Sequence, residues 1–289
     1  MTITRRDLLK STACTVAGLA GLRTVADAQD NRTPSGGVSI QLVRHATCII
    51  RYGGKAILLD PMLSEAGAMP AIANSPNPRR NPLVPLALTA PAIISATDAT
   101  LVTHTHFDHW DAPTAGLLPK ARTVFVQTPD KKKLDDAGFT DVRVLTTSGD
   151  WEGLTLTRVG GQHGRGETGQ RMGPVSGYVL TKAGLPTLYI AGDSVWCPEV
   201  EEAIRTHKPD VILVNAGAAQ FLEGGPITMD VEDVVTVIKA APAARIVAVH
   251  MEAINHCVLT RDALRSGLSK AAVKATILIP YDGDLVPIA

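Results

Sequence analysis

The sequence has no excess of charge of either sign. Its 28 lysines and arginines are matched by 28 aspartates and glutamates, and the pI is near 7.1. Such a balance offers no basic surplus for a phosphate backbone and no acidic tail, so no nucleic-acid partner is expected. Long apolar runs are also missing. The N-terminal run "ACTVAGLAGL" spans about ten residues, whereas a membrane-crossing helix needs roughly 20, so no stable membrane anchor is expected. Cysteine is scarce, with four in 289 residues. Cys14 falls in the N-terminal segment, and the remaining three, Cys48, Cys197 and Cys257, cannot all pair within one chain. Cys48 sits in an apolar run and reads as a small buried hydrophobe. A Cys197–Cys257 disulfide is left open by the sequence. Internal repeats and low-complexity segments are absent.

What is present begins with an export pattern over residues 1–28. "TRRDLLK" sets Arg5 and Arg6 before the short apolar run, and "ADA" at 26–28 offers a small-residue cleavage site ahead of Gln29. The pattern resembles a twin-arginine signal, a route for folded and often cofactor-loaded cargo, and predicts a periplasmic or secreted protein. Removing residues 1–28 leaves 24 basic and 26 acidic side chains. Residues 29–37 read as a flexible lead-in, and 38–289 as the functional domain.

In that domain, "VSIQLV", "CIIRY" and "AILLDP" read as strands, the last two joined by a tight turn at Gly53-Gly54. Six prolines between 62 and 92 mark a long irregular excursion, expected to rim a pocket. Strand-like and helix-like runs then alternate. "PEVEEAIRTH" places Pro198 in a first helical turn, and "MDVEDVVTVIKAA" has helical apolar spacing with Asp230 as N-cap. The whole reads as a mixed α/β protein with too many hairpins for a simple doubly wound sheet.

One stretch carries chemistry. "THTHFDHW" ends the strand-like run "ATLVTH" and packs three histidines and an aspartate into six residues. His104 and His106, two apart at a strand end, can point the same way. Asp108 and His109 follow the turn and can reach a second position close by. Imidazole with carboxylate suits zinc, with manganese or iron as the other candidates. Further ligand-type residues also follow apolar strands: His163 in "GGQHGRGETG", Asp193 in "AGDS", and His250 after "RIVAV". The glycines around His163 are expected to mark mobility and close backbone approach.

On these residues the chain resembles the metallo-β-lactamase superfamily over roughly 38–289, with "THTHFDH" matching its main metal motif, Asp60 before it, and His163, Asp193 and His250 after it, in the right order. The resemblance implies an αββα four-layer sandwich with two divalent metal ions at its rim. His104, His106 and His163 would hold one ion; Asp108, His109 and His250 would hold the other. Asp193 would bridge them and Asp60 would order the site. The start "RHATCIIRYGGKAILLDP" resembles the branch of ascorbate-6-phosphate lactonase-like and N-acylphosphatidylethanolamine phospholipase-like hydrolases, where His45 matches a histidine near the metals. His256 in "EAINHC" competes with His250 for the last ligand position.

The expected function is metal-activated hydrolysis of a small-molecule lactone, ester, amide or phosphodiester, with Asp108 orienting the nucleophile or carrying a proton. Arg79, Arg80, Arg165, Arg171 and Trp196 are candidate substrate-side groups. The alternatives are a lipid-directed phosphodiesterase and a metal-containing binding protein without turnover.

Overall fold

The apolar runs of this chain are dense because most of its strands are covered on both faces. The computed structural model describes residues 37–273 and 276–289; the export pattern and residues 29–36 lie outside them. One sheet is built from β1 (Val38–Arg44), β2 (Thr47–Tyr52), β3 (Lys55–Leu59), β4 (Ala99–Leu101), β5 (Val124–Val126) and β6 (Val142–Val144). The other uses β7 (Ser148–Trp151), β8 (Leu154–Val159), β9 (Gly177–Thr181), β10 (Leu188–Ile190), β11 (Val211–Asn215), β12 (Arg245–Val249) and β13 (Ile277–Leu278). The last strand, β14 (Leu285–Pro287), returns to the first sheet beside β1. The orders are 14-1-2-3-4-5-6 and 13-12-11-10-9-8-7.

Strand alternation sorts the side chains into layers. Ile40, Leu42, Ile50 and Ile57 of the first sheet meet Tyr178, Leu180, Leu213 and Val247 of the second. The opposite face of the first sheet, through Ile49, Leu58 and Val124, packs under helices α1 (Ala90–Ser95), α2 (Ala112–Leu117) and α3 (Lys131–Asp136), which contribute Ile93 and Leu134. On the far side, Ile212, Val214 and Ile246 pack under α5 (Pro198–His207), α6 (Val231–Ala240) and α7 (Arg261–Lys270). The result is the expected αββα sandwich. The Gly53-Gly54 turn is as read, with φ of 62° and 85°, the doubly left-handed geometry that suits strand twist. Asp230 caps α6 by accepting from the Asp233 amide, and Pro198 opens α5.

Three helices escape sequence reading. The first two, α1 and α2, have six residues each and contain proline, too short for a periodic signal. The third, α4 (Gly166–Met172), lies inside the glycine-rich run read as a mobile loop. There the glycines serve close approach: a Cβ on Gly169 would meet the Gly164 carbonyl oxygen at 2.3 Å.

The excursion at 62–92 is tied down by a buried cation. Arg44 is fully buried, and its guanidinium donates to the carbonyls of Met62 (2.8 Å), Ser64 (2.9 Å) and Val84 (3.1 Å). Burial pushes it down to about 10, still charged at neutral pH. Asn81 and Asn255 exchange hydrogen bonds of 2.7 and 2.8 Å, so the excursion lies beside the segment that follows His250. Arg44→Met should leave three carbonyls without their donor, at about 1.5–3 kcal/mol for such charge-assisted bonds. The expected readout is a lower unfolding temperature together with new proteolytic cleavage within 62–86.

Candidate metal centre

The ligand-type residues meet because their strands run the same way within each sheet. In the first, β3 is parallel to β4, and β1 reaches β3 through two antiparallel pairings. In the second, β10, β11 and β12 are parallel, and β8 reaches β10 in the same manner. The carboxyl ends of these strands deliver His45, Asp60 and His104 from one sheet, and His163, Asp193 and His250 from the other. Three of these residues have positive φ: His45 (61°), Asp60 (42°) and His250 (69°). Left-handed backbone at non-glycine residues costs about 1–3 kcal/mol each and clusters at functional sites.

Two groups of donor atoms form. In the first, His106 Nδ1 lies 2.9 Å from His104 Nε2 and 3.2 Å from His163 Nε2. In the second, His109 Nε2 lies 3.2 Å from His250 Nε2, and Asp108 Oδ2 is 3.8 Å from His250 Nε2 and 3.9 Å from His109 Nε2. Asp193 stands between the groups. Its Oδ2 is 3.1 Å from His109 Nε2, 3.5 Å from His163 Nε2 and 4.0 Å from His104 Nε2, while Oδ1 is 3.2 Å from His250 Nε2. All these residues are buried except His106, which is half-buried.

The outer contacts decide which nitrogen carries each proton. His163 Nδ1 faces the Ile227 carbonyl at 2.9 Å, an acceptor, so Nδ1 holds the hydrogen and Nε2 keeps its lone pair. The Thr103 hydroxyl donates to Asp60 Oδ2 (2.7 Å) and therefore accepts from His104 Nδ1 (3.2 Å), which leaves His104 Nε2 unprotonated. His109 Nδ1 donates to Asp60 Oδ2 at 2.8 Å. The Nε2 atoms of His104 and His163 thus turn lone pairs toward the oxygens of Asp193, and His109 Nε2 does the same once the second proton it holds without metal is displaced. Lone pairs do not attract lone pairs, so the arrangement fits cations between them. The donor set fits two divalent ions: three imidazoles on one side, Asp108, His109 and His250 on the other, and Asp193 shared.

The protonation energetics agree. Burial, then the neighbouring imidazoles, holds His104 well below its usual range, and burial pushes His163 down to about 4. Both are neutral at physiological pH, as ligands must be. Burial works against ionisation of Asp193, but His109 and His250 outweigh it and hold the carboxyl well below its usual range. Burial likewise acts to lower His109, yet Asp193, Asp60 and Asp108 raise it well above its usual value. Without metal, a proton supplies the positive charge that the three carboxylates demand.

The structure sorts the remaining expectations. His45 joins the second group: its Nε2 is 3.2 Å from Asp108 Oδ2, its ring lies 3.6 Å from that of His250, and its carbonyl accepts the His250 amide. His250 lies in a cluster that could hold a metal ion, with His45, Asp108 and His109, whereas His256 belongs to none of the metal-competent clusters among the described residues. Trp196 is half-buried and packs against the apolar cluster on the outer face of the second sheet. Arg80 is spent on the Gly67 and Ala68 carbonyls, Arg165 on Asp233 and Arg171 on Thr168. Cys197 and Cys257 are both free; Cys257 Sγ lies 3.6 Å from His250 Nδ1 and Cys197 Sγ 3.4 Å from Ser194 Oγ. The oxidised pair left open by the sequence is not formed.

Some supporting groups were missed. Thr103, directly before the motif, links Asp60 to His104. Asn215 ends β11 and donates to Asp193 Oδ1 at 2.6 Å. A polar residue ending the buried run "VILVN" was a readable signal, of the same kind that revealed Asp193. The Ile227 carbonyl behind His163 had none, because backbone contacts leave no mark on residue type.

With the geometry in hand, three comparisons bear on the chain. The beta-lactamase superfamily domain matches residues 55–251. UPF0173 protein YddR of Bacillus subtilis (strain 168) is 40% identical over 86% of this chain and 98% of its own. An isothiocyanate hydrolase from Delia radicum gut bacteria superposes with a TM-score of 0.81 at 37% identity, over 86% of this chain and 98% of that one. A possible metal-dependent hydrolase from Veillonella parvula gives 0.84 at 32% identity, over 87% and 100%.

Proposed function

Because the chain belongs to the beta-lactamase superfamily, as a metal-dependent hydrolase, we propose that it hydrolyses a small, uncharged electrophile at a two-metal centre. The observation that carries this reading is the convergence of three imidazoles, each anchored outward through Nδ1, on one carboxylate, Asp193. His104, His106 and His163 would hold one ion and Asp108, His109 and His250 the other, zinc fitting this donor set best. Divalent ions there supply Lewis acidity and make water nucleophilic near neutral pH. Asp108, held from behind by His45 Nε2, orients the attacking water. Asp193, tethered by Asn215, keeps the two halves in register.

Support for an uncharged substrate comes from two sides. Three of the arginines that could have met a phosphate are engaged elsewhere, which disfavours the phosphodiester and lipid readings. The 37% identical isothiocyanate hydrolase adds a heterocumulene to the lactone, ester and amide candidates. For an isothiocyanate, water adds to the central carbon, a proton passes to nitrogen and the C–N bond breaks. One isothiocyanate and one water thus yield an amine and carbonyl sulfide.

The test is a panel of benzyl isothiocyanate, a γ-lactone, a p-nitrophenyl ester and a bis-aryl phosphodiester. Dipicolinate treatment should lower turnover of an uncharged member by about 10²-fold or more, and zinc, manganese or ferrous iron should restore it. Turnover confined to the phosphodiester would replace this reading with the lipid-directed one. The enzyme is further proposed to act outside the cytoplasm, which predicts a mature N-terminus at Gln29 in the periplasmic fraction.

A further inference from the structure

His256 is a buried imidazole without a settled partner. It is 4% exposed, and its hydrogen-bonding contact among the described residues is a distant one, Cys257 Sγ at 4.0 Å from Nδ1. Its Nε2 makes no protein hydrogen bond and is not sealed in the interior as the unpartnered His45 Nδ1 is, which leaves it reachable by solvent. The groups that act on it electrostatically are Asp108, His250, Asp193 and His163, drawn from both halves of the centre. Burial pushes it down to about 4, so the ring is neutral and one nitrogen retains a hydrogen to donate.

A narrow loop stands over this imidazole. Residues 219–227 are closed by the Ile227 amide on the Ala219 carbonyl (2.7 Å) and by pairing of Gln220 with Pro226. The loop is joined to the centre at both ends: Ala219 pairs with Cys257, and the Ile227 carbonyl holds His163. The Gln220 amide donates to the His256 carbonyl at 2.9 Å, and the Phe221 ring lies 6.4 Å from the His256 ring. At the tip, Leu222 is 69% exposed while its amide is fastened to the Asn74 carbonyl at 2.7 Å.

Resting on the function proposed above, we infer that His256 and Phe221 form the substrate-contacting wall of the centre. His256 donates a hydrogen bond to the electrophile's heteroatom, and Phe221, extended by Leu222, packs against an apolar substituent. The substrate class narrows to uncharged electrophiles with an aryl or alkyl tail. No step of the hydrolysis requires His256 to change charge.

The experiment uses the metal-loaded full chain and the variants His256→Ala, His256→Gln and Phe221→Ala. Each is assayed on benzyl and methyl isothiocyanate and titrated with the non-hydrolysed analogues N-benzylthiourea and N-methylthiourea. His256→Ala should keep its metal, lose about 10²-fold in kcat, the scale for one lost donor to a developing anion, and bind both thioureas more weakly. His256→Gln, which restores an N–H, should recover at least tenfold of that loss. Phe221→Ala should lower the benzyl-to-methyl ratio of kcat/KM about tenfold and the ratio of thiourea affinities likewise, as loss of an apolar contact predicts. Metal loss in His256→Ala would make the residue a ligand and overturn the inference, as would thiourea affinities that change in none of the variants. If the wild type turns over no uncharged electrophile, the functional reading fails instead, and the thiourea titrations still decide whether this wall binds an apolar tail.

Discussion

Replacing Asp193 with alanine should be among the costliest single changes in this molecule. A fall in kcat/KM of about 10³-fold or more, roughly 4 kcal/mol, should accompany a drop in bound metal by about one ion per chain. The reason is geometric. Asp193 is the carboxylate that reaches both donor groups, with 3.1 Å to His109 Nε2 and 3.5 Å to His163 Nε2 from one oxygen and 3.2 Å to His250 Nε2 from the other. Its removal would subtract a negative charge from between the two proposed cations and leave the Asn215 amide, now 2.6 Å from a carboxylate oxygen, with no acceptor. Asn215→Ala should act in the same direction but more weakly, within the 10–100-fold typical of outer contacts to a ligand. Metal analysis beside steady-state kinetics checks both. Full metal content and less than fivefold loss in Asp193→Ala would refute the shared-carboxylate arrangement.

How far the sequence announced this centre depends on which atoms did the work. His104, His106, Asp108 and His109 are crowded into six residues, and such crowding is visible without any structure. His163, Asp193 and His250 were legible for a different reason: each follows an apolar strand, and parallel strands bring their carboxyl ends together. The choice of His250 over His256 rested on that rule, and the geometry agrees with it. The strand and helix runs gave a mixed α/β protein, and the four-layer sandwich came with the resemblance to the metallo-β-lactamase superfamily. What stayed hidden acts through backbone or through neutral partners. The Ile227 carbonyl, the Thr103 hydroxyl and the helix inside the glycine-rich run carry no composition signal, because a carbonyl has no residue identity and a seven-residue helix has too few turns for a period. Residue type also suggested a substrate role for Arg80, Arg165 and Arg171, and only the structure shows the protein partners that each already holds.

Asp60→Asn should disable the centre without touching a ligand atom. Asp60 Oδ1 accepts the Thr103 amide at 2.7 Å, while Oδ2 accepts both the Thr103 hydroxyl (2.7 Å) and His109 Nδ1 (2.8 Å). An asparagine that keeps its oxygen on the Thr103 amide must present its NH2 where Oδ2 was. That group donates, so His109 Nδ1 must become an acceptor and its hydrogen moves to Nε2, facing Asp193 and away from any metal. The reversal travels further. The Thr103 hydroxyl, now receiving a hydrogen bond, is free to donate to His104 Nδ1, 3.2 Å away, which puts the His104 hydrogen on Nε2 as well. One isosteric change therefore removes a lone pair from each half of the centre, the same wrong-tautomer logic that cripples a catalytic histidine whose buried aspartate becomes asparagine. The expected result is a fall in activity of about 10²–10⁴-fold, with metal affinity lowered at both positions rather than one. The metal-free protein should also lose stability, because the charged His109 gives up one of its three flanking carboxylates even though every buried donor keeps an acceptor. Asp60→Ala should behave differently: it strands the Thr103 amide and His109 Nδ1, at about 1–3 kcal/mol for each unsatisfied buried group. Thermal unfolding of both variants with and without metal, beside a metal titration, separates the two mechanisms. If Asp60→Asn binds metal as tightly as the wild type, the relay from Asp60 through Thr103 and His109 does not set the tautomers of this centre.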